Sequence, residues 1–154
     1  MINRELMFEL AEESRSVSKL MDRYWDEWEK FQHYAASVTG TLAMDLEDSK
    51  LARKAYSTQK KAARLDKYSR GWRSAFNAYR KGKDIDTAKL IGSLSKFNSV
   101  MQGVAKDVER VATQTMKTDL DLYKEVANEV QDMHRCLEKT HDLGEQISHM
   151  IKSE

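Results

Sequence analysis

The sequence contains no proline and only 6 glycines among its 154 residues. Proline removes a helical hydrogen bond and clashes with the preceding turn, and glycine destabilises a helix interior, so their scarcity favours long uninterrupted helices. Apolar residues also recur at spacings of three and four along most of the chain, which is typical of helices that pack along one stripe. The sequence therefore predicts an all-α protein with a single helical domain over residues 1–154.

Three long helices are expected, over residues 4–38, 42–81 and 86–152. Gly40 lies between two threonines and predicts the first interruption, and Gly82 predicts a turn after the second helix. Together the helices would form an elongated antiparallel hairpin, or coiled-coil-like bundle, which is the preferred architecture. The polar stretch 115–118 is a possible further break. A break there would instead give a four-helix up-and-down bundle.

Positive charge is concentrated in the middle of the chain. The stretch from Lys50 to Lys83 holds 12 of the 26 basic residues, and Asp66 is its only acid, whereas the flanking stretches 1–49 and 84–154 are both acidic. Helical spacing places most of these cations opposite the apolar seam, on a ridge about 25 Å long between Lys50 and Lys67. Because like charges one turn apart repel each other, an external polyanion or an acidic partner is expected to offset the repulsion. The predicted polyanion-binding residues are Lys50, Arg53, Lys54, Lys60, Lys61, Arg64, Lys67, Arg70 and Lys81.

Nucleic acid is the slightly preferred polyanion, because a row of cations neutralises phosphates without reading sequence. The aromatic residues of this helix, Tyr68 among them, fall on its predicted buried seam, so stacking on bases is not expected. An anionic membrane surface is one alternative. Long antiparallel helices with a cationic tip at Arg80, Lys81 and Lys83 resemble the layout of BAR-type membrane-curving modules, and this likeness of layout assigns no role to any residue. The other alternative is a protein-only adaptor or filament subunit, assembled by pairing acidic with basic helices.

Self-association is expected because the seam of the basic helix is rich in small and polar residues such as Ala55, Thr58 and Ala62. A thin seam buries little apolar surface in a monomer, so a homo-oligomer is predicted. The expected interface combines rings of the first helix with small residues that follow the basic ridge. These residues are Trp25, Trp28, Phe31, Gly71, Ser74 and Ala78.

The sequence offers few residues for chemistry. Glu138, His141, Glu145 and His149 share a helical face at spacings used in di-iron bundles, but those sites need a second Glu-x-x-His copy and two further glutamates. Cys136 is the only cysteine and lacks the companion thiolates of a zinc site. Neither a phosphate-binding glycine loop nor a nucleophile elbow occurs. We therefore expect a non-enzymatic structural protein without metal or cofactor.

A cytoplasmic location is expected. The single cysteine fits a reducing compartment, and no apolar run approaches the ~18 residues of a membrane-spanning helix. Glu5 and Glu9 lie within the first turns, where a secretory signal would be basic and then apolar.

Overall fold

The structure is a computed structural model that describes the backbone of residues 4–152 and the side chains of residues 17–152. Glu5 and Glu9, discussed above, therefore lie outside the described side chains. The helices are α1 (Arg4–Asp45), α2 (Ser49–Ala63), α3 (Leu65–Arg80), α4 (Thr87–Thr118) and α5 (Leu120–Lys152). No strand occurs within residues 4–152, and the predicted all-α class is confirmed.

Helices α2 and α3 form one rod. Arg64, which separates them, keeps a right-handed helical conformation with φ −72° and ψ −11°. Backbone hydrogen bonds of 3.2 Å continue through the junction, from Arg64 N to Lys60 O and from Tyr68 N to Arg64 O. The described chain thus consists of four rods, each antiparallel to the next, in an up-and-down bundle. The preferred three-helix hairpin is wrong, and the four-helix alternative fits.

Asp119 is the residue that divides the predicted third helix. Its φ of −150° and ψ of 83° leave the helical region, while its N–H still donates to Thr115 O at 2.7 Å. Its carboxylate accepts from Leu122 N at 3.2 Å and caps α5. The chain reverses at this single residue, so that Asn98 of α4 lies beside His141 of α5.

The interruption expected at Gly40 is absent, because α1 continues to Asp45. The neighbouring Thr39 does not break the helix, since its buried hydroxyl donates to a carbonyl one turn earlier at 2.7 Å. The chain turns instead just before Asp48, whose carboxylate accepts two backbone N–H groups and caps α2. The glycine serves close packing, because a Cβ at Gly40 would lie 3.0 Å from the side-chain nitrogen of Gln59 on α2.

The core is centred on Trp72 of α3. Its ring lies 5.1 Å from that of Tyr24, 6.1 Å from that of Trp28 and 5.5 Å from that of Phe97, measured between centroids, so three of the four rods meet there. The contacts with Tyr24 and Trp28 are edge-to-face, and such contacts add about 0.5–1.5 kcal/mol per pair to the burial of the rings. The apolar seams of the described helices therefore pack against each other within one chain.

This packing corrects part of the predicted oligomer interface. Trp28 and Phe31 are fully buried within the single chain, so they cannot touch a second copy while the bundle is closed. Trp25 is half-buried and also faces its own chain: its ring lies 5.5 Å from that of Trp72, and the Arg73 guanidinium lies 4.6 Å above it. The aromatic residues of α1 cover a wide arc of the helix surface because they pack against three other rods.

Candidate nucleic-acid interface

The cations of the α2–α3 rod face solvent because the opposite side of the rod is buried with strict heptad spacing. The buried residues are Leu51, Ala55, Thr58, Ala62, Leu65, Ser69, Trp72 and Phe76. All nine predicted polyanion-binding residues are exposed. We call the eight of them from Lys50 to Arg70 the basic ridge. Lys81 lies apart from it, because it is the C-cap residue at the far end of α3.

Most of the basic ridge is not neutralised by the described side chains. Among the described side chains, no carboxylate lies within 4.0 Å of Arg53, Arg64 or Lys67. The Lys60 ammonium is likewise without a described carboxylate and lies 4.6 Å above the ring of Tyr56. The exception is Lys61, whose Nζ lies 3.0 Å from Asp107 of α4. The repulsion along the ridge is therefore largely uncompensated by described residues.

Two other arginines of α3 are used inside the fold. Arg73 pairs with Asp66 at 3.0 Å and covers the rings of Trp25 and Trp28. Arg80 pairs with Asp22 of α1, so it holds the end of α3 against that helix. Neither residue belongs to the basic ridge. Both pair with a carboxylate of the bundle, whereas most ridge cations have no described carboxylate partner.

Helix α4 adds cations that sequence reasoning missed. Lys106 and Arg110 stand across from Lys61 and Arg64 along a groove of about 430 Å³ between α4 and the α2–α3 rod. We call this the basic groove. It is lined by Lys61, Arg64, Tyr68, Val100, Gly103, Val104, Lys106, Asp107 and Arg110. The turn at Gly82 sets α4 beside the α2–α3 rod, but the sequence pattern does not show which exposed residues of α4 lie along the edge of that contact.

The position of Tyr68 also differs from the expectation. It was placed on the buried seam, yet it is 52% exposed, and Ser69 is buried instead. The Ser69 hydroxyl donates to Asp66 O at 2.7 Å, so burying it leaves no unpaired group. Tyr56 is exposed to a similar extent, 53%. The alternating four-and-three spacing of the heptad predicts a buried residue at Ser69, but a serine is polar and was not counted as part of the apolar seam.

The small residues beyond the ridge remain available at the surface. Gly71 and Ser74 are exposed and Ala78 is half-buried. A Cβ added at Gly71 would meet no atom within 4 Å, so no neighbour in the described chain requires a glycine there. Self-association through these three residues stays a prediction.

His141 and Cys136 lie beside polar or charged side chains of other helices or of their own helix. Nδ1 of His141 lies 3.0 Å from the Asn98 amide nitrogen, and its Nε2 lies 3.3 Å from Glu145. Burial raises the pKa of the Cys136 thiol, and the nearby Glu27 carboxylate raises it further. In the part of the chain with described side chains, no three His, Cys, Asp or Glu residues converge as metal ligands would.

No protein-family model matches the chain, and neither does any curated protein or solved structure. Within residues 4–152, no helix combines the length and the apolar character that crossing a bilayer requires.

Proposed function

We propose that this chain is a non-enzymatic helical protein that binds the phosphate backbone of nucleic acid through its basic ridge and basic groove. The observation that carries the proposal is the set of exposed cations at Arg53, Lys60, Arg64 and Lys67, which lack a carboxylate partner among the described side chains. Cations on a folded surface usually have acids interleaved with them, which lowers their mutual repulsion. A polyanion would supply the missing negative charge.

The dimensions of the surface suit a nucleic-acid strand. The basic ridge from Lys50 to Arg70 is about 30 Å long at about 1.5 Å per residue, and phosphates on one strand of DNA repeat about every 3.4 Å along the axis. Lys106 and Arg110 widen the surface to two helices. Contacts of this kind give affinity without sequence readout, and they weaken steeply as salt rises, because each neutralised phosphate releases counterions.

The test is the triple variant Lys60→Glu, Arg64→Glu and Lys67→Glu, titrated against fluorescently labelled 20-nucleotide single-stranded and 20-base-pair double-stranded DNA. We expect at least a hundredfold loss of affinity at 50 mM salt. We also expect the slope of log affinity against log salt to become shallower by about 2–3, at about 0.7–0.9 per phosphate contact.

The matched control is Lys96→Glu, Lys124→Glu and Lys139→Glu, which makes the same change in net charge at exposed positions of α4 and α5. It should bind nearly as well as the wild type. Equal losses in both triple variants would show that net charge alone drives binding and would overturn the proposed surface.

Two other outcomes would also overturn it. If wild-type protein sediments with phosphatidylserine vesicles and not with DNA, the ridge binds a membrane. If neither ligand binds but light scattering shows that the ridge variant dissociates an oligomer, the cations serve assembly with a second copy of the chain.

A further inference from the structure

Tyr68 is an exposed aromatic residue inside the basic groove. About half of its surface, 52%, is accessible, and it lines the groove together with Lys61 and Arg64 on its own rod. Lys106 and Arg110 line the same groove from α4. An accessible ring in a groove lined by cations is the arrangement that single-strand binding proteins use, with bases stacked on rings and phosphates held by cations.

The α4 side of the groove leaves room for a planar group. Gly103 lines it, is exposed, and would carry a Cβ that meets no atom within 4 Å. The groove volume of about 430 Å³ lies within the ~300–1,000 Å³ range of small-molecule sites, so a nucleobase fits in it. Apolar lining comes from Val100 and Val104.

Tyr56 provides the contrast within the same rod. It is 53% exposed, but the Lys60 ammonium lies 4.6 Å from its ring centroid and covers one face. It lines a different groove, against Gly40 and Met44 of α1. Of these two exposed tyrosines, only Tyr68 shares a groove with cations from two rods.

We propose that the basic groove binds a single-stranded nucleic acid, with an unpaired base stacked on Tyr68 and its flanking phosphates held by Lys61 and Arg64 on one side and Lys106 and Arg110 on the other. This inference rests on the proposed function and adds the class of nucleic acid. In a duplex the faces of the bases are covered by their neighbours, so a duplex gains the phosphate contacts without the stacking. The groove therefore favours single strands over duplexes.

The test compares Tyr68→Ala with the equally exposed Tyr56→Ala, using labelled 20-nucleotide oligothymidine and a 20-base-pair duplex at 100 mM salt. Tyr68→Ala should weaken single-strand binding by about fivefold or more, as the loss of one stacked base does. It should change duplex binding less than twofold and leave the salt slope unchanged. Tyr68→Phe should retain wild-type affinity, because a phenyl ring also stacks, and Tyr56→Ala should bind as the wild type does.

A second variant blocks the groove without removing the ring. Gly103→Leu places a side chain in the space beside Tyr68, and Gly92→Leu makes the same change at an exposed α4 position outside the groove. Only Gly103→Leu should lose the preference for single strands.

The outcomes separate the two proposals. If Tyr68→Ala has no effect, or weakens both DNAs equally, while the triple glutamate variant still abolishes binding, stacking is wrong and phosphate binding by the ridge stands. If the triple variant also leaves binding unchanged, both proposals fail.

Discussion

The ammonium of Lys61 lies 3.0 Å from Asp107 and joins α2 to α4 across the basic groove. Arg110 lies 3.6 Å from the other oxygen of the same carboxylate. Asp107 is the only acid among the described residues that line the groove, and two cations share it. A ligand phosphate must therefore compete with this carboxylate.

Replacing Asp107 should strengthen binding. In Asp107→Asn, removing one negative charge near the phosphates should raise DNA affinity by about fivefold at low salt, since a unit charge pair about 4 Å apart in water is worth about 1 kcal/mol. The free energy of unfolding should fall by no more than about 1 kcal/mol, because Lys61 is 55% exposed and exposed ion pairs stabilise little. Fluorescence anisotropy and urea denaturation measure the two effects.

The control is Glu109→Gln, an exposed acid of α4 that does not line the groove. An affinity gain of similar size in that control would contradict a local role for Asp107.

Trp72 should be the residue whose truncation costs most. Its ring is 1% exposed and packs against rings from two other rods, so Trp72→Ala leaves a cavity that the bundle cannot fill by a small adjustment. We expect the free energy of unfolding to fall by about 3–5 kcal/mol. Urea denaturation followed by circular dichroism measures it, with Tyr68→Ala as the surface comparison, for which a loss near 0.5 kcal/mol is expected. A loss below about 1 kcal/mol in Trp72→Ala would refute the central position of the ring.

Two helical glycines should respond differently to alanine. An alanine in place of glycine stabilises a helix interior by about 0.5–1 kcal/mol, and Gly103→Ala should gain this amount because its Cβ meets nothing within 4 Å. In Gly144→Ala the new Cβ would lie 3.3 Å from Cε2 of Tyr24, whose ring is held by Trp72 and Phe76. That crowding should cancel or reverse the gain. The melting temperatures of the two variants measure this difference. Equal stabilisation would show that the Tyr24 ring moves aside at no cost in stability.

Stability should fall at alkaline pH because of Tyr24. Burial raises the pKa of its hydroxyl far above the ordinary value, while in the unfolded chain the group ionises near pH 10. Above about pH 10 the Tyr24 hydroxyl is ionised in the unfolded chain but still protonated in the native state. Its contribution to the free energy of unfolding is complete below that pH and is lost as pH rises, by up to about 1.36 kcal/mol per pH unit.

Tyr24→Phe isolates this effect. Its hydroxyl has no hydrogen-bond partner among the described residues, so the variant should be equal to the wild type or up to about 1 kcal/mol more stable at pH 7. Its advantage should grow between pH 9.5 and 11 in urea denaturation. Tyr68→Phe serves as the exposed control and should track the wild type across this range. A constant difference between Tyr24→Phe and the wild type at all three pH values would show that the hydroxyl reaches solvent in the native state.

The sequence alone determined the all-α class and most of the buried face of the basic helix. Helical periodicity and the absence of proline act locally, so the buried seam through Ala55, Thr58 and Ala62 was predicted correctly. The basic ridge followed from the same periodicity, because residues opposite a buried stripe must face solvent.

Only the tertiary structure decided where the chain turns and which faces meet. Gly40 and residues 115–118 were similar candidates for a break. Helix α1 continues through Gly40, whereas the chain reverses at Asp119. At Asp119 a side-chain cap and the docking of α5 on α4 act together. The basic groove exists because the turn at Gly82 sets α4 beside the α2–α3 rod and the packing of the bundle fixes which face of α4 meets that rod. Lys106 and Arg110 thereby line the same groove as Lys61 and Tyr68. Such contacts join residues some 40 positions apart, and no local pattern specifies them, because they depend on how the buried faces of all four rods fit together.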